Sequence, residues 1–391
     1  MRKPKAKNLR KAALSLLLGA FLAEGVLQLF PRRLFQQDPA WKGDAFLGIP
    51  LFDPDVAKDF PEARKPAGVY RIVVLGDSHL CSVGRKSTFP EVLESLLAAD
   101  ELGGRKIEVY NAGANGHAPY QYYLTLTERL AAYQPDLVIV APFIGNDFLD
   151  LYRTDDRPHL AFVNGEFAHQ PPEFAKYWDP SGGSFLDSSR VAFIVRACLG
   201  KSIGYMWNRT HVLFELGKRA GHGNVAAARF VSAMIGGSFV NDAIFRQDMN
   251  QILFLRTFPE GRAEIDRVNR RITELTKAFV DGKGMKLLYV PIPTKLQVEP
   301  DSDSVVLEKT LDICGLDRSV LKDEDELTDS LVALLAEHGI ESLQVEDALR
   351  EASHAHAMYD ASYHLNKEAH AIVARAIHDR VREIVRSSSP K

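Results

Sequence analysis

The chain reads as an α/β protein, a three-layer α/β/α sandwich around a central parallel sheet of about five strands. Three observations predict it. Short aliphatic and β-branched runs, at 70–76, 107–111, 136–144, 286–292 and 341–346, have the length and character of buried strands. Stretches of helical periodicity separate them; across 262–283, Ile265, Val268, Ile272, Leu275 and Phe279 fall along one face. Polar and glycine-rich segments stand just past the ends of the first three strands, where a parallel sheet collects ligands and catalytic groups. Strands alternating with helices favour parallel pairing, with right-handed crossovers covering both faces.

The first element in order is not part of that sandwich. Arg2, Lys3, Lys5, Lys7, Arg10 and Lys11 precede a mostly apolar run from Ala12 to Phe30, and Pro31-Arg32-Arg33 closes it. About twenty apolar residues suffice to cross a bilayer as a helix. The basic flank places the N-terminus in the cytoplasm and the rest of the chain on the extracytoplasmic, periplasmic side. Glu24 interrupts the run, at a cost of about 2.5–3.5 kcal/mol if it sits at mid-bilayer. No small-x-small cleavage site follows, since Phe21 and Ala23 would occupy its positions, so an uncleaved anchor is expected rather than a signal peptide. The expected organisation is residues 1–33 as basic flank and anchor, 34–67 as a linker, and 68–390 as the folded domain.

The first strand ends in Gly76-Asp77-Ser78. Taken alone this is an ordinary strand-to-helix turn, with Ser78 capping the helix that follows. A serine hydroxyl is a poor nucleophile at neutral pH and needs an imidazole within hydrogen-bond reach and donors for the oxyanion it would create. Asn111-Ala112-Gly113-Ala114-Asn115-Gly116 follows the second strand and Gly145-Asn146-Asp147 the third. Far downstream stands His364, in Tyr363-His364-Leu365-Asn366. His79, next to Ser78, is expected to point elsewhere and is given no role; His354, His356 and His370 are read as solvated or structural.

This ordered set resembles the SGNH (GDSL-type) hydrolase superfamily, whose four blocks carry Ser, Gly, Asn and His. The resemblance covers roughly 68–150 and 284–380, and implies a flavodoxin-like parallel sheet. It implies Ser78 as nucleophile and His364 as base. The oxyanion hole would comprise the Ser78 and Gly116 main-chain N–H groups and the Asn146 side-chain amide, with Gly113 as the alternative glycine. Asp360 would be the acid of the triad, but Asp360-Ala361-Ser362-Tyr363-His364 sets it one residue further from the histidine than the usual Asp-x-x-His. The segment Tyr289-Val290-Pro291-Ile292-Pro293-Thr294-Lys295 is similar to one in SGNH proteins associated with exopolysaccharide acylation. That likeness makes Lys295 a candidate for holding a sugar hydroxyl or an acidic group of the substrate.

Residues 151–261 are too long for a connection and are expected to form an insertion after the third strand. Phe162-Val163-Asn164-Gly165-Glu166-Phe167 within it signals a hairpin. The apolar run Val191–Leu199 is too short to span a membrane, and Trp178, Tyr205 and Trp207 could stack on sugars or fill a core. Three scattered cysteines, Cys81, Cys198 and Cys314, make no disulfide framework. A formal net charge of −3 gives no reason to expect nucleic acid. No metal or organic cofactor is needed for acyl-enzyme chemistry on a serine, and His354 and His356 have no cysteine or carboxylate framework at zinc-ligand spacing.

The expectation is therefore an anchored serine esterase acting through a Ser-His(-Asp) acyl-enzyme on an O-acyl, chiefly acetyl, ester of a cell-envelope or secreted polysaccharide. Two alternatives stay open. One is an O-acyltransferase that passes the acyl group to a sugar hydroxyl and is served by a membrane acyl-donor protein. The other is a catalytically silent carbohydrate-binding or assembly protein on the same scaffold.

Overall fold

Strand β1, Val69–Gly76, is buried from Tyr70 onward and lies between two parallel neighbours. On one side is β2, Lys106–Gly113, with Gly76 opposite Gly113. On the other is β3, Leu137–Ala141, with Gly76 opposite Ala141. The structure, a computed structural model, describes residues 65–81, 87–100, 102, 104–152, 159–170, 221–225, 228–229, 251–252, 255–256, 258–301, 304–360 and 363–388. The expected membrane span and linker lie outside these residues. Among the described residues no helix is long and apolar enough to cross a membrane.

The other described elements follow in chain order. After β1 comes a 3-10 turn, Ser78–Cys81, and then α1, Phe89–Ala98. After β2 comes α2, Pro119–Glu128, and after β3 comes α3, Asp147–Asp150. The hairpin β4–β5, His159–Val163 and Glu166–Gln170, follows α3 within the stretch expected to be an insertion. The long helix α4, Pro259–Gly282, leads into β6, Lys286–Tyr289. Beyond it lie α5, Lys295–Val298, α6, Ser304–Cys314, and α7, Lys322–Glu337. The chain ends with β7, Glu341–Ser342, α8, Glu346–Ser353, and α9, Lys367–Ser387.

All pairings in the five-stranded sheet are parallel, in the order β2-β1-β3-β6-β7. The order reverses at β1, so the crevice past its carboxyl end is the natural binding position of such a sheet. Side chains alternate between two cores. Ile72 and Val74 pack with Phe89, Leu93, Val373 and Ile377 of α1 and α9. Val73 and Leu75 pack with Leu124, Ile265, Ile272 and Leu331 of α2, α4 and α7. Arg71, 1 % exposed, is accommodated because Glu108 Oε2 and the Tyr133 carbonyl accept from its guanidinium at 3.1 and 2.7 Å. A buried charge without such partners would be strongly destabilising.

The expected strands are shorter than the apolar runs at three places. Pairing of β3 breaks at Pro142, which has no N–H, and resumes as an isolated bridge between Phe143 and Ile292. Likewise β6 stops at Tyr289, before Val290-Pro291-Ile292-Pro293, although Val290 and Ile292 still donate to Val140 and Pro142 carbonyls at 2.8 Å. The last strand, expected over 341–346, is paired at only two residues. Glu346 and Asp347 there begin α8, where acidic side chains suit the positive end of a helix. The hairpin turns on Asn164 and Gly165, both with positive φ, as a type I′ turn requires. Val191–Leu199, Trp178, Tyr205, Trp207 and Cys198 lie outside the described residues.

Candidate active site

Glycine lets the first strand deliver Ser78 close to its neighbours. A Cβ on Gly76 would lie 2.7 Å from Leu80 Cδ1 and 3.1 Å from the Ala141 carbonyl; one on Gly113 would lie 2.2 Å from Leu80 Cβ. The Ser78–Cys81 turn is thus seated directly on the ends of β2 and β3. Asp77 opens it: the Asp77 carbonyl accepts from Leu80 N at 3.2 Å, and Oδ1 accepts from His79 N at 2.9 Å. Asn111 holds its far end, donating from Nδ2 to the Leu80 carbonyl at 2.9 Å and to Thr88 Oγ1 at 3.1 Å. Asn111, given no separate role from sequence, is a brace for the nucleophile turn.

His364 arrives from the opposite side on a narrow loop. Tyr359 and Leu365 pair as an antiparallel bridge. Inside it Asp360 N donates to the His364 carbonyl at 2.9 Å, and Tyr363 N to the Asp360 carbonyl at 3.0 Å. Tyr363 takes the left-handed conformation, φ 63°. Asp360 Oδ1 accepts from the His364 main-chain N–H at 3.2 Å, so the carboxyl closes the loop. Asn366 then caps α9, accepting from Glu368 and Ala369 N–H at 3.0 Å each. The outcome is His364 Nε2 at 2.8 Å from Ser78 Oγ, a distance at which an imidazole can take a hydroxyl proton.

The other expected residues stand on the same edge. Gly116 has φ +74° in the turn after β2, where His117 N donates to the Ala114 carbonyl at 3.1 Å. The Gly113 N–H is bonded to Asn111 Oδ1 at 2.9 Å, which favours Gly116 over Gly113 as a donor to substrate. Asn146 precedes α3, and its Nδ2 donates to Asp150 Oδ2 at 3.0 Å. An amide nitrogen carries two N–H groups, so this bond fixes the plane while leaving the second for an oxyanion. Lys295 opens α5 under a Thr294 cap, and its Nζ lies 4.5 Å from the centre of the Tyr363 ring, next to the base.

Three carboxyls are buried on this side of the sheet edge: Asp77, Asp147 and Asp150. Asp147 Oδ2 accepts from the Tyr122 hydroxyl at 2.8 Å and from Phe143 N at 3.0 Å. Burial pushes Asp77 up to about 7 and Asp147 well above the usual carboxyl range, and the charges of the group reinforce both shifts. Ser78 Oγ also lies 3.3 Å from Asp77 Oδ2, donating to it. A carboxyl only partly ionised near neutrality competes less with His364 for that proton, and puts less negative charge beside a developing oxyanion, than an ordinary aspartate would.

The largest correction concerns His79. Its ring does not point away but is buried between Phe143, centroids 4.0 Å apart, and His364, 4.9 Å apart. Its Nδ1 accepts from Leu365 N at 3.3 Å. Burial holds it well below the usual histidine range, so it is neutral. A short 3-10 turn, instead of the expected full helix after Ser78, is what turns His79 inward. His370 is buried and structural: Phe89 N donates to its Nδ1 at 3.2 Å, and burial lowers it to about 4. His354 and His356 are exposed. Among the described residues no cluster of His, Cys, Asp or Glu is disposed to hold a metal ion.

Neither protein-family models nor curated proteins give a match. Solved structures do. A catalytic mutant of the acetylxylan esterase Axe2 from Geobacillus stearothermophilus aligns over 81 % of this chain and 94 % of its own, with 12 % identity and a TM-score of 0.39. TesA aligns over 80 % of this chain and 99 % of its own, with 13 % identity and a TM-score of 0.37. A protein from Bacteroides fragilis aligns over 85 % of this chain and 94 % of its own, with 11 % identity and a TM-score of 0.38. Likenesses this distant carry nothing about the reaction, which rests on the residues themselves.

Proposed function

We propose that this chain is a serine esterase that cleaves O-acyl esters through an acyl-enzyme on Ser78. The observation that carries the reading is the 2.8 Å contact between Ser78 Oγ and His364 Nε2 at the carboxyl edge of the sheet. Ser78 Oγ attacks the ester carbonyl carbon while His364 Nε2 takes its proton. The tetrahedral oxyanion is received by the Ser78 and Gly116 main-chain N–H groups and the free N–H of Asn146 Nδ2. His364 returns the proton to the leaving alkoxide. Water, deprotonated by the same imidazole, then releases the acid from Ser78.

The substrate side is a finer proposal. Lys295, beside Tyr363, presents a cation at the rim of the site, which suits an acidic or hydroxyl-rich leaving group such as a glycan. The basic flank and apolar run of residues 1–33 support a membrane-anchored protein with its catalytic domain on the extracytoplasmic side. Acetyl groups on an envelope or secreted polysaccharide suit both. Transfer of the acyl group to a second sugar hydroxyl would use the same intermediate.

The test is turnover of p-nitrophenyl acetate and of an acetylated polysaccharide by the full chain. Ser78→Ala is expected to lower kcat by roughly a thousandfold or more, since the nucleophile, base and donors act as a unit. Free acetate as product supports the esterase, and acetyl recovered on an added sugar acceptor supports transfer. Equal activity of wild type and Ser78→Ala would overturn both, and a folded but inert wild type would leave a silent binding protein.

A further inference from the structure

We propose that His79 is a positioning residue for the base, holding His364 in place through a second hydrogen bond crossed with the catalytic one. The inference rests on the esterase reading. Ser78 and His79 are adjacent in the chain, as are His364 and Leu365. The hydroxyl of Ser78 meets Nε2 of His364 at 2.8 Å, and the main-chain N–H of Leu365 donates to Nδ1 of His79 at 3.3 Å. Two peptide links and two hydrogen bonds therefore make one small closed ring joining nucleophile and base.

Such a ring has few ways to deform. The His79 ring is 3 % exposed and packed against Phe143 on one side and His364 on the other. Its main-chain N–H is held by Asp77 Oδ1 at 2.9 Å, and its main chain is also hydrogen-bonded by the His370 ring. His370 is itself fixed on α9 by Phe89 N at 3.2 Å. The acceptor at Nδ1 requires the neutral ring with its proton on Nε2. The brace is useful because the segment bearing His364 turns on a left-handed Tyr363 immediately before it. Anchoring Leu365 to the residue after the nucleophile ties the end of that loop to Ser78 rather than to the loop's own fold.

The acceptor and the ring can be separated by substitution. In His79→Asn the amide Oδ1 can occupy the place of Nδ1, whereas His79→Phe keeps an aromatic ring and removes the acceptor. Expected for the full chain is kcat within about threefold of wild type for His79→Asn, against a fall of roughly 10- to 100-fold for His79→Phe with KM changed less than twofold, the scale of a misplaced catalytic group. The rate at which a fluorophosphonate labels Ser78, read by mass spectrometry, should fall in parallel. His79→Leu serves as a second acceptor-free variant, and melting curves identify variants that fail to fold. Wild-type labelling and kcat in a folded His79→Phe or His79→Leu, or an equal loss in folded His79→Asn, would overturn the proposal. Absence of Ser78 labelling in wild type would instead overturn the esterase reading.

Discussion

The hydroxyl proton of Ser78 faces two acceptors, Nε2 of His364 at 2.8 Å and Oδ2 of Asp77 at 3.3 Å. Its chemistry depends on the first winning, and burial of Asp77 tilts the contest by raising that carboxyl to about 7, so that it is far less ionised near neutrality than an ordinary aspartate. Around the serine, each polar side chain has a separable role that substitution can read. Asn146→Ala removes one oxyanion donor and is expected to lower kcat by about 100- to 1,000-fold with little change in KM, checked by steady-state kinetics. At Asp360 the bond to the His364 main-chain N–H can be kept by an amide oxygen. Asp360→Asn should therefore retain more activity than Asp360→Ala; equal losses would move the residue's role to its charge on the ring.

At the scale of elements, the active edge is made by strand ends brought close enough that side chains must be absent. Gly113→Ala would place a Cβ 2.2 Å from Leu80 Cβ, within the backbone-bound part of that side chain. Overpacking of this kind costs about 1–3 kcal/mol, and the strain falls on the turn that carries Ser78. Gly113→Ala is expected to lose both melting temperature and kcat. Gly165→Ala offers the contrast: nothing lies within 4 Å of its Cβ, but φ is +89°. Its cost is about 1 kcal/mol of backbone strain, with kcat unchanged. Thermal denaturation and kinetics on the two variants check both outcomes.

For the whole molecule, the buried ionisable groups set how stability follows pH. Asp77, Asp147 and Glu91 hold their protons longer in the folded state than in the unfolded chain, chiefly through burial. Their contribution is greatest below the unfolded carboxyl value near 4 and is lost as pH rises, for Asp77 and Glu91 through about 7. His79 and His370 act the other way, being neutral when folded and readily charged when unfolded. Their contribution is present above the unfolded value of about 6.5 and is lost as pH falls toward about 4 for His370. The two sets oppose each other in mild acid, and only the carboxyls change above about 6.5. The melting temperature should therefore decline from pH 6.5 to 8. Asp147→Asn, whose amide oxygen can keep the bonds from Tyr122 and Phe143, should flatten that decline.

Periodicity alone determined the layers. Runs such as Ile72–Leu75 bury alternate residues in two cores, so neither face can be polar, and helices must cover both. Short polar blocks after the first three strands likewise had to meet at one edge once the strands were parallel. Strand ends were not legible in the same way. Pro142, Pro291 and Pro293 interrupt pairing without interrupting burial, and the helix-favouring Glu346 and Asp347 cut short the last strand. The site divided along the same line. Ser78, Asn146 and His364 could be named because the ordered blocks that hold them resemble those of a known hydrolase superfamily. The choice between Gly113 and Gly116, the main-chain bond of Asp360 and the inward turn of His79 could not. Each depends on which hydrogen-bond partner lies across space, as Asn111 does for Gly113 and Leu365 for His79. Local pattern determines what a residue can do, and only the packed fold decides which neighbour it does it with.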